Sequence, residues 1–338
     1  MKNLIIIPFL LVIMLANGQS ILRVNNIPGI NAPYTTIQAA IAAAATGDII
    51  LVEGSPTAYS VGAVNLTKRL TIQGPGYFLD ENTGIQASQQ PATVTATSFI
   101  LSSGSDGSVV GGMTFNQRID VRASNIIIEN SRFLGPTSIL LSNAVPASNL
   151  LITGNYMTNG GSSISINANG QTFTNVIISN NLIAFSIDWS TVPIFGVIKN
   201  NIFTIGASPS NMSNCDVVNN IFLAGFSIGT SLNSTIRNNV FVNATQANAD
   251  ATNLLGVVQA TLFVGLAGNT SDTQWSLKVG SPAIGAGALG EDCGIYGGVS
   301  PYKISGVATG QPTITNLNVP GGVQQNGTLN VKVSAKAN

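Results

Sequence analysis

The segment Arg118-Ile-Asp-Val-Arg122 places two cations around one acid within five residues. Read as a strand, its alternation buries Ile119 and Val121 and turns Arg118, Asp120 and Arg122 outward on one face. Two guanidinium groups beside a carboxylate can bind an acidic sugar, because each offers a planar fork of donors that fits a carboxylate. The bland reading of the same residues is a solvated strand carrying a surface ion pair that contributes little. Elimination across an acidic sugar would further need acids that hold calcium near the substrate. Asp188 can share this face, but three coils away it lies roughly 14 Å distant, too far to complete a metal site. No dedicated calcium motif is present.

Other chemistry is short of parts. There is no histidine, which removes the usual general base and the usual zinc ligand. Of the nine Asp and four Glu, only Asp80-Glu81 and Glu291-Asp292 are adjacent. Glycoside hydrolysis needs two carboxylates about 5 to 9.5 Å apart across the bond. Neighbours on a strand point to opposite faces, so these acids read as turn or cap residues. Cys215 and Cys293 have no histidine to activate them; an exported protein could pair them in a disulfide, but their positions favour two separate buried thiols. Trp189 and Trp275 offer stacking surfaces for sugars, though a Trp at a corner or cap is more often packing. The sequons at Asn65, Asn211 and Asn243 are expected of a chain this rich in Asn, Ser and Thr. No metal site and no cofactor are expected, and calcium enters only with a lyase activity.

The composition excludes further classes. Over 338 residues there are 13 Lys or Arg, 13 Asp or Glu and a net charge of +0, with charged residues at 8%. Phosphate binding needs clustered cations, so nucleic acid is not an expected partner. A 44% hydrophobic chain of low charge can bury a core and is not expected to be disordered. The polarity resides in 37 Asn with Ser and Thr rather than in ions.

Positioning of any site rests on a repeat. Ile128, Ile152, Ile178, Ile198, Val217 and Ile236 recur at spacings of 24, 26, 20, 19 and 19 residues. Three residues before them stand Asn125, Asn149, Asn175, Phe195, Asn214 and Asn233. Two residues after come Asn130, Gly154, Asn180, Asn200, Asn219 and Asn238, and three after come Ser131, Asn155, Asn181, Asn201, Asn220 and Asn239. Five after come Phe133, Met157, Ile183, Phe203, Phe222 and Phe241. A unit of about twenty residues with a β-branched run and no helical period predicts stacked strands. Asn suits the corners, since it tolerates left-handed backbone and its amide bonds nearby groups. Asn130, Asn155, Asn180, Asn181, Asn200, Asn201, Asn219, Asn220, Asn238 and Asn239 are expected to stack as structural amide ladders. Val110 and Ile72 extend the repeat upstream. The expected fold is all-β, a right-handed parallel β-helix of about nine or more coils, roughly 40 to 50 Å long.

The ends read as caps. Lys2, the apolar stretch Leu4 to Leu15 and Ala16-Asn17-Gly18 form an export signal over residues 1–18. Tyr34 to Gly47 reads as an amphipathic helix with Thr35 or Thr36 as N-cap, and Asp48 to Val52 as the first strand. Trp275, Leu277 and the glycine-rich run 280–294 read as a closure of the far end, so that residues 19–300 form the β-helix. Residues 301–338 form a short β-patterned tail.

Three segments, Tyr34 to Val52, Leu70-Thr-Ile-Gln-Gly-Pro-Gly-Tyr-Phe-Leu-Asp-Glu-Asn82, and Ser281-Pro-Ala-Ile-Gly-Ala-Gly with Cys293-Gly-Ile-Tyr-Gly-Gly298 and Pro301-Tyr302, carry a resemblance. They resemble secreted right-handed parallel β-helix proteins of the pectin-lyase-like superfamily, particularly forms from Bacteroidetes-type bacteria. The resemblance covers nearly the whole mature chain and implies the fold rather than an activity. The expected protein is exported, to the surface, the extracellular space or the periplasm, with no membrane span in the mature chain. It is expected to present an Asn/Ser/Thr-rich face to a polysaccharide or a cell-surface protein without catalysis. The alternative is a lyase or glycoside hydrolase acting on an acidic polysaccharide. The oligomeric state is left open.

Overall fold

A computed structural model describes residues 18–135, 138–142, 147–158, 164–167, 173–184, 187–189, 195–204, 214–224, 233–245, 250–307, 312–320 and 327–337. The expected leader up to Asn17, and Asn211, lie outside these residues. Among the described residues every strand pair but one hairpin is parallel and connects successive turns of the chain, which makes the molecule a right-handed parallel β-helix. Sheet A has ten strands, one per coil, and its central inward column runs Leu22, Ile50, Ile72, Val110, Ile128, Ile152, Ile178, Ile198, Val217 and Ile236. The repeat thus reaches two coils further upstream than Ile72. The first strand is Ile21–Val24, not 48–52, and it pairs in parallel with Ile49–Val52.

The other two faces belong to one thirteen-stranded sheet joined through Thr93–Leu101. Its two-residue strands, here face B, stack Phe115, Phe133, Met157, Ile183, Phe203, Phe222 and Phe241 in one inward column. The rings of Phe203, Phe222 and Phe241 stack at 4.6 and 4.8 Å, close to the strand spacing itself. Its third face, here face C, runs from Tyr59–Leu66 through Ile119–Val121 and Ile139–Ser142 to Ile187–Trp189.

Two asparagine columns hold the corner between sheet A and face B, and they do different work. The inner column, Asn155, Asn181, Asn201, Asn220, Asn239 and Asn253, is buried. The Oδ1 of Asn220 accepts from the backbone N–H of Asn201 at 2.9 Å and from its Nδ2 at 3.0 Å. Asn220 in turn donates to Asn239 Oδ1 and to the carbonyls of Ile198 and Val218. Ser131 begins the ladder by donating its N–H to Asn155, and Asn253 ends it against the carbonyls of Ile236 and Asp250.

The outer column, Asn130, Asn180, Asn200, Asn219 and Asn238, does not form a ladder. These residues take positive φ between 47 and 59°, the left-handed conformation that turns the corner. Gly154 fills the same place with φ of 66°, where a Cβ would come within 2.5 Å of Asn130 Oδ1. A separate amide ladder, Asn125–Asn149–Asn175 and Asn214–Asn233, lies exposed at the entry to sheet A. It breaks at Phe195, which pairs with Thr174, so that Asn175 falls at a bulge and the strand after it has no matching corner residue.

The N-terminal end is closed by a helix, Ile37–Ala43, that starts where Thr36 Oγ1 accepts from the Ala39 N–H. It ends at Ala44, before Gly47, and sets Ile37 and Ala40 into the core. The segment after Asn253 does not simply close the far end. It returns along the outside of face B toward the N-terminus, covering Val240, Ile221, Ile202, Leu182 and Tyr156. Gly294, with φ of 90°, lies so close that a Cβ would meet Ile221 Cδ1 at 2.8 Å. The return is anchored at Asp272, which is wholly buried. Its carboxylate accepts from Asn82 Nδ2, Thr270 Oγ1 and the Ser305 N–H, at 3.0, 3.0 and 2.6 Å. Tyr302 bonds Tyr77 hydroxyl to hydroxyl at 2.7 Å beside it. The tail forms an antiparallel hairpin, Pro312–Asn318 with Lys332–Ala337. Among the described residues no helix is long and apolar enough to cross a membrane.

Truncating an inner amide leaves several buried groups unpaired, each costing about 1 to 3 kcal/mol, whereas an exposed amide returns to water. Asn220→Ala should therefore lower stability by about 3 kcal/mol or more and Asn149→Ala by about 1 kcal/mol or less, read as shifts in denaturant midpoint or melting temperature. Burial raises the ionisation of Tyr77 and Tyr302 well above the ordinary 10.0, and Tyr156 rises for the same reason. The stability these phenols contribute is therefore whole below pH 10 and falls as pH rises beyond it, because the unfolded chain loses those protons first. A titration above pH 10 should show these phenolates appearing together with loss of tertiary structure. Gradual ionisation of all tyrosines in a folded chain would contradict it.

Candidate functional site

The outward side of face C holds Arg118, Asp120 and Arg122 together. Ile119 and Val121 fill the core column at 0 and 1% exposure, so the alternating residues emerge on the other side. Asp120 does not stand out beside the arginines. Its side chain is only 8% exposed, whereas those of Arg118 and Arg122 are 46 and 45% exposed. Arg118 Nε donates to Asp120 Oδ1 at 2.7 Å, and a terminal nitrogen of Arg122 lies 3.3 Å from Oδ2. One carboxylate thus pins two guanidinium groups while both arginine side chains stay nearly half exposed. In the column through Asp120, Ile100 lies one coil before and Leu140 one coil after, both half-buried. Asn65 extends that column upstream, and Ser165 and Asp188 follow Leu140 downstream. Asp188 is therefore three strand steps, about 14 Å, from Asp120.

Most of the other acids are occupied by backbone N–H groups or by polar side chains. Asp48 accepts from the N–H groups of Ser20 and Ala45, Glu81 from Ser271, and Asp292 from Gly285. Glu291 accepts from Asn219 Nδ2 at 3.0 Å. The pairs Asp80-Glu81 and Glu291-Asp292 lie on the segments that fasten the return strap and do not converge. Among the described residues no group of three or more His, Cys, Asp or Glu is placed to hold a metal ion.

The outer asparagines, which sequence spacing assigns to a ladder, dock the return segment instead. Asn180 Nδ2 donates to the carbonyls of Ile295 and Gly297, Asn200 to Asp292, and Asn219 Oδ1 accepts from the Ala288 N–H. Nothing in the 19- to 26-residue period signals this role, because the partner segment has no period. Trp275 belongs to the same strap, half-buried and edge-on to Phe263 at 5.5 Å. Trp189 lies on the last strand of face C.

Cys215 and Cys293 are both buried thiols, at 2 and 1% exposure. Cys293 Sγ donates to the Asn238 carbonyl at 3.3 Å. Burial pushes both thiols up to about 12, so neither is a thiolate at neutral pH and neither is a nucleophile.

No family model and no curated protein matches the chain. Among solved structures it is similar to the crystal structure of pectate lyase Pel9A, at 18% identity over 82% of this chain and 96% of that one, with a TM-score of 0.39. The β-helix assignment rests on the strand pairing described above.

The buried thiols make a direct forecast. A thiol reagent at pH 8 should leave both cysteines unmodified in the native protein and titrate two thiols in denaturant without reductant. Fast native reaction, or a denatured count of zero, would overturn this placement.

Proposed function

We propose that this chain is an exported β-helix protein that binds an acidic polysaccharide on face C, with Arg118 and Arg122 as the clamp and Asp120 as the residue that positions them. The observation that carries this reading is the pinning of two half-exposed guanidinium groups by one buried carboxylate. Such a pair is pre-organised: each arginine gives one nitrogen to Asp120 and keeps the rest of its fork for a ligand carboxylate. Part of the rotamer entropy that binding would cost has been given up on folding. The aliphatic neighbours Ile100 and Leu140 suit the apolar face of a sugar ring. The parallel stacking supports an extended polymer as ligand, since rows succeed one another about every 4.8 Å along face C on both sides of the charged coil. The apolar stretch and small residues of the leader support export, to the cell surface, the extracellular space or the periplasm.

The reading assigns binding without turnover. It is tested by titrating the full mature chain with polygalacturonate and with a neutral glucan, with and without calcium, while following the ultraviolet absorbance of an unsaturated product. Binding of the acidic polymer alone is expected, and Arg118→Ala or Arg122→Ala should each weaken it about tenfold or more, the scale of a lost charge-assisted hydrogen bond. Asp120→Asn should weaken it less, by freeing the forks rather than removing them. Equal binding of the neutral polymer, or no response to the arginine variants, would overturn the reading. Absorbance growing with time would replace it with a lyase.

A further inference from the structure

The outer side of sheet A is patterned for a second copy of itself. Its first outward column runs Ile49, Thr71, Val109, Ile127, Leu151, Ile177 and Val197 in register, then turns polar at Asp216 and Thr235. The aliphatic members shield one another within the stack and remain only half-buried. Five consecutive rungs from Val109 to Val197 therefore present an unbroken apolar stripe about 19 Å long. A stripe of this kind on a flat parallel sheet is unusual for a surface left to water, because parallel sheets are normally covered on both sides.

The neighbouring outward column identifies the occupant. It reads Glu129, Thr153, Ser179 and Lys199 on four successive rungs. Glu129 and Lys199 are half-exposed and make no ion pair; the ion pairs among the described residues are Arg23–Glu53, Arg118–Asp120, Arg122–Asp120 and Arg237–Asp216. Within one chain the two lie three strand steps, about 14 Å, apart and cannot meet. A two-fold axis parallel to the strands, passing between the rungs of Thr153 and Ser179, reverses the coil order and keeps each column over itself. It sets Glu129 of one chain over Lys199 of the other, and the reverse, so both charges are matched twice. The same axis lays Ile127 over Val197 and Leu151 over Ile177, apolar on apolar; between the charges Ser179 is buried and donates to Thr153 Oγ1 of its own chain at 3.1 Å, so no unpaired hydroxyl is left there. Further out the apolar stripe runs one rung longer on one side, so that Val109 meets Asp216, which its own chain's Arg237 holds, and beyond it Thr71 meets Thr235. Over the four central rungs the surface is complementary to itself under one rotation, as an isologous interface requires, with an apolar centre beside matched charges.

We propose that the chain forms a face-to-face homodimer through the outer side of sheet A, with Leu151 and Ile177 at its centre and reciprocal Glu129–Lys199 pairs on either side. This face is separate from the arginines of face C, so the dimer presents two copies of that site and does not depend on its ligand. The test is sedimentation equilibrium of the full mature chain from micromolar to millimolar concentration. A reversible monomer–dimer equilibrium is expected. Leu151→Lys, an outward substitution, should leave the melting temperature near that of the parent and abolish the dimer. Glu129→Lys and Lys199→Glu should each weaken dimerisation by about tenfold or more, since each sets like charges face to face twice. The double variant Glu129→Lys/Lys199→Glu should restore it, which only contact across a two-fold axis explains. A monomer throughout the range, a dimer indifferent to Leu151→Lys, or a double variant no better than the singles would each overturn the proposal.

Discussion

A buried amide must have all its hydrogen bonds made, and the β-helix is organised around meeting that demand. From Asn155 to Asn239 each inner asparagine accepts from the coil before it and donates to the amide oxygen of the coil after it, while its second donor takes a carbonyl of the coil before. Such a group is satisfied only if the next coil arrives in one register, because a slip of one residue would leave both an amide and a backbone N–H unpaired in the core. The ladder therefore fixes the rise per coil and the angle between sheet A and face B. The aliphatic and phenylalanine columns then stack with no freedom of their own. The left-handed asparagines beside the ladder follow from the same constraint. A sharp corner has to be turned at that residue in every coil, and Asn or Gly turns it at least cost: ten of the thirteen described non-glycine residues with positive φ are Asn.

That organisation leaves the outward faces free to differ, and they do. Face B is covered by the return of residues 254–305, a segment with almost no regular structure that is held by asparagine side chains, close glycine contacts and the wholly buried Asp272. Sheet A keeps an apolar stripe, and face C keeps the two arginines over Asp120. Ten of the chain's few acids are absorbed by backbone N–H groups, amides, hydroxyls or arginines. With ionic groups so scarce, a charge left without a partner, as at Glu129 and Lys199, or shared by two others, as at Asp120, is informative about what the surface meets.

What was legible in the sequence was what the period repeats. The stacking of Ile128 through Ile236 and of Phe133 through Phe241 can be read directly, because each position sees the same neighbours one coil above and below. Departures from the period were not legible. The strand Ile21–Val24 is too short and too polar in its surroundings to declare itself beside the helix that follows it. Phe195 looks like a substitution in the asparagine column, but it marks a bulge in the pairing. The outer asparagines share the spacing of the inner ones and differ only in what lies across from them, a non-repeating strap more than seventy residues away in sequence for Asn219. For the candidate site, alternation alone placed Arg118, Asp120 and Arg122 on one face. It could not show that Asp120 sits beneath the arginines, because the depth of a short side chain between two long ones depends on how Ile100 and Leu140 pack around it.

A solenoid whose rungs were all alike would bind any ligand equally at every register, and its affinity would carry no positional information. Position enters where the repeat is broken. On face C the break is one coil that substitutes three charged residues for the uncharged ones of its neighbours. On sheet A it is the pair Glu129 and Lys199, which bracket four rungs of an otherwise uncharged surface. In both places the backbone supplies a regular spacing and the irregular side chains select one register upon it. The same division explains why the asparagine content is so high and the ionic content so low: amides can recur in every coil because each satisfies the next, whereas like charges stacked about 4.8 Å apart would repel along the whole axis. Ions are therefore admitted without a like charge directly above or below them, at the coils where the surface has to be distinguished from itself.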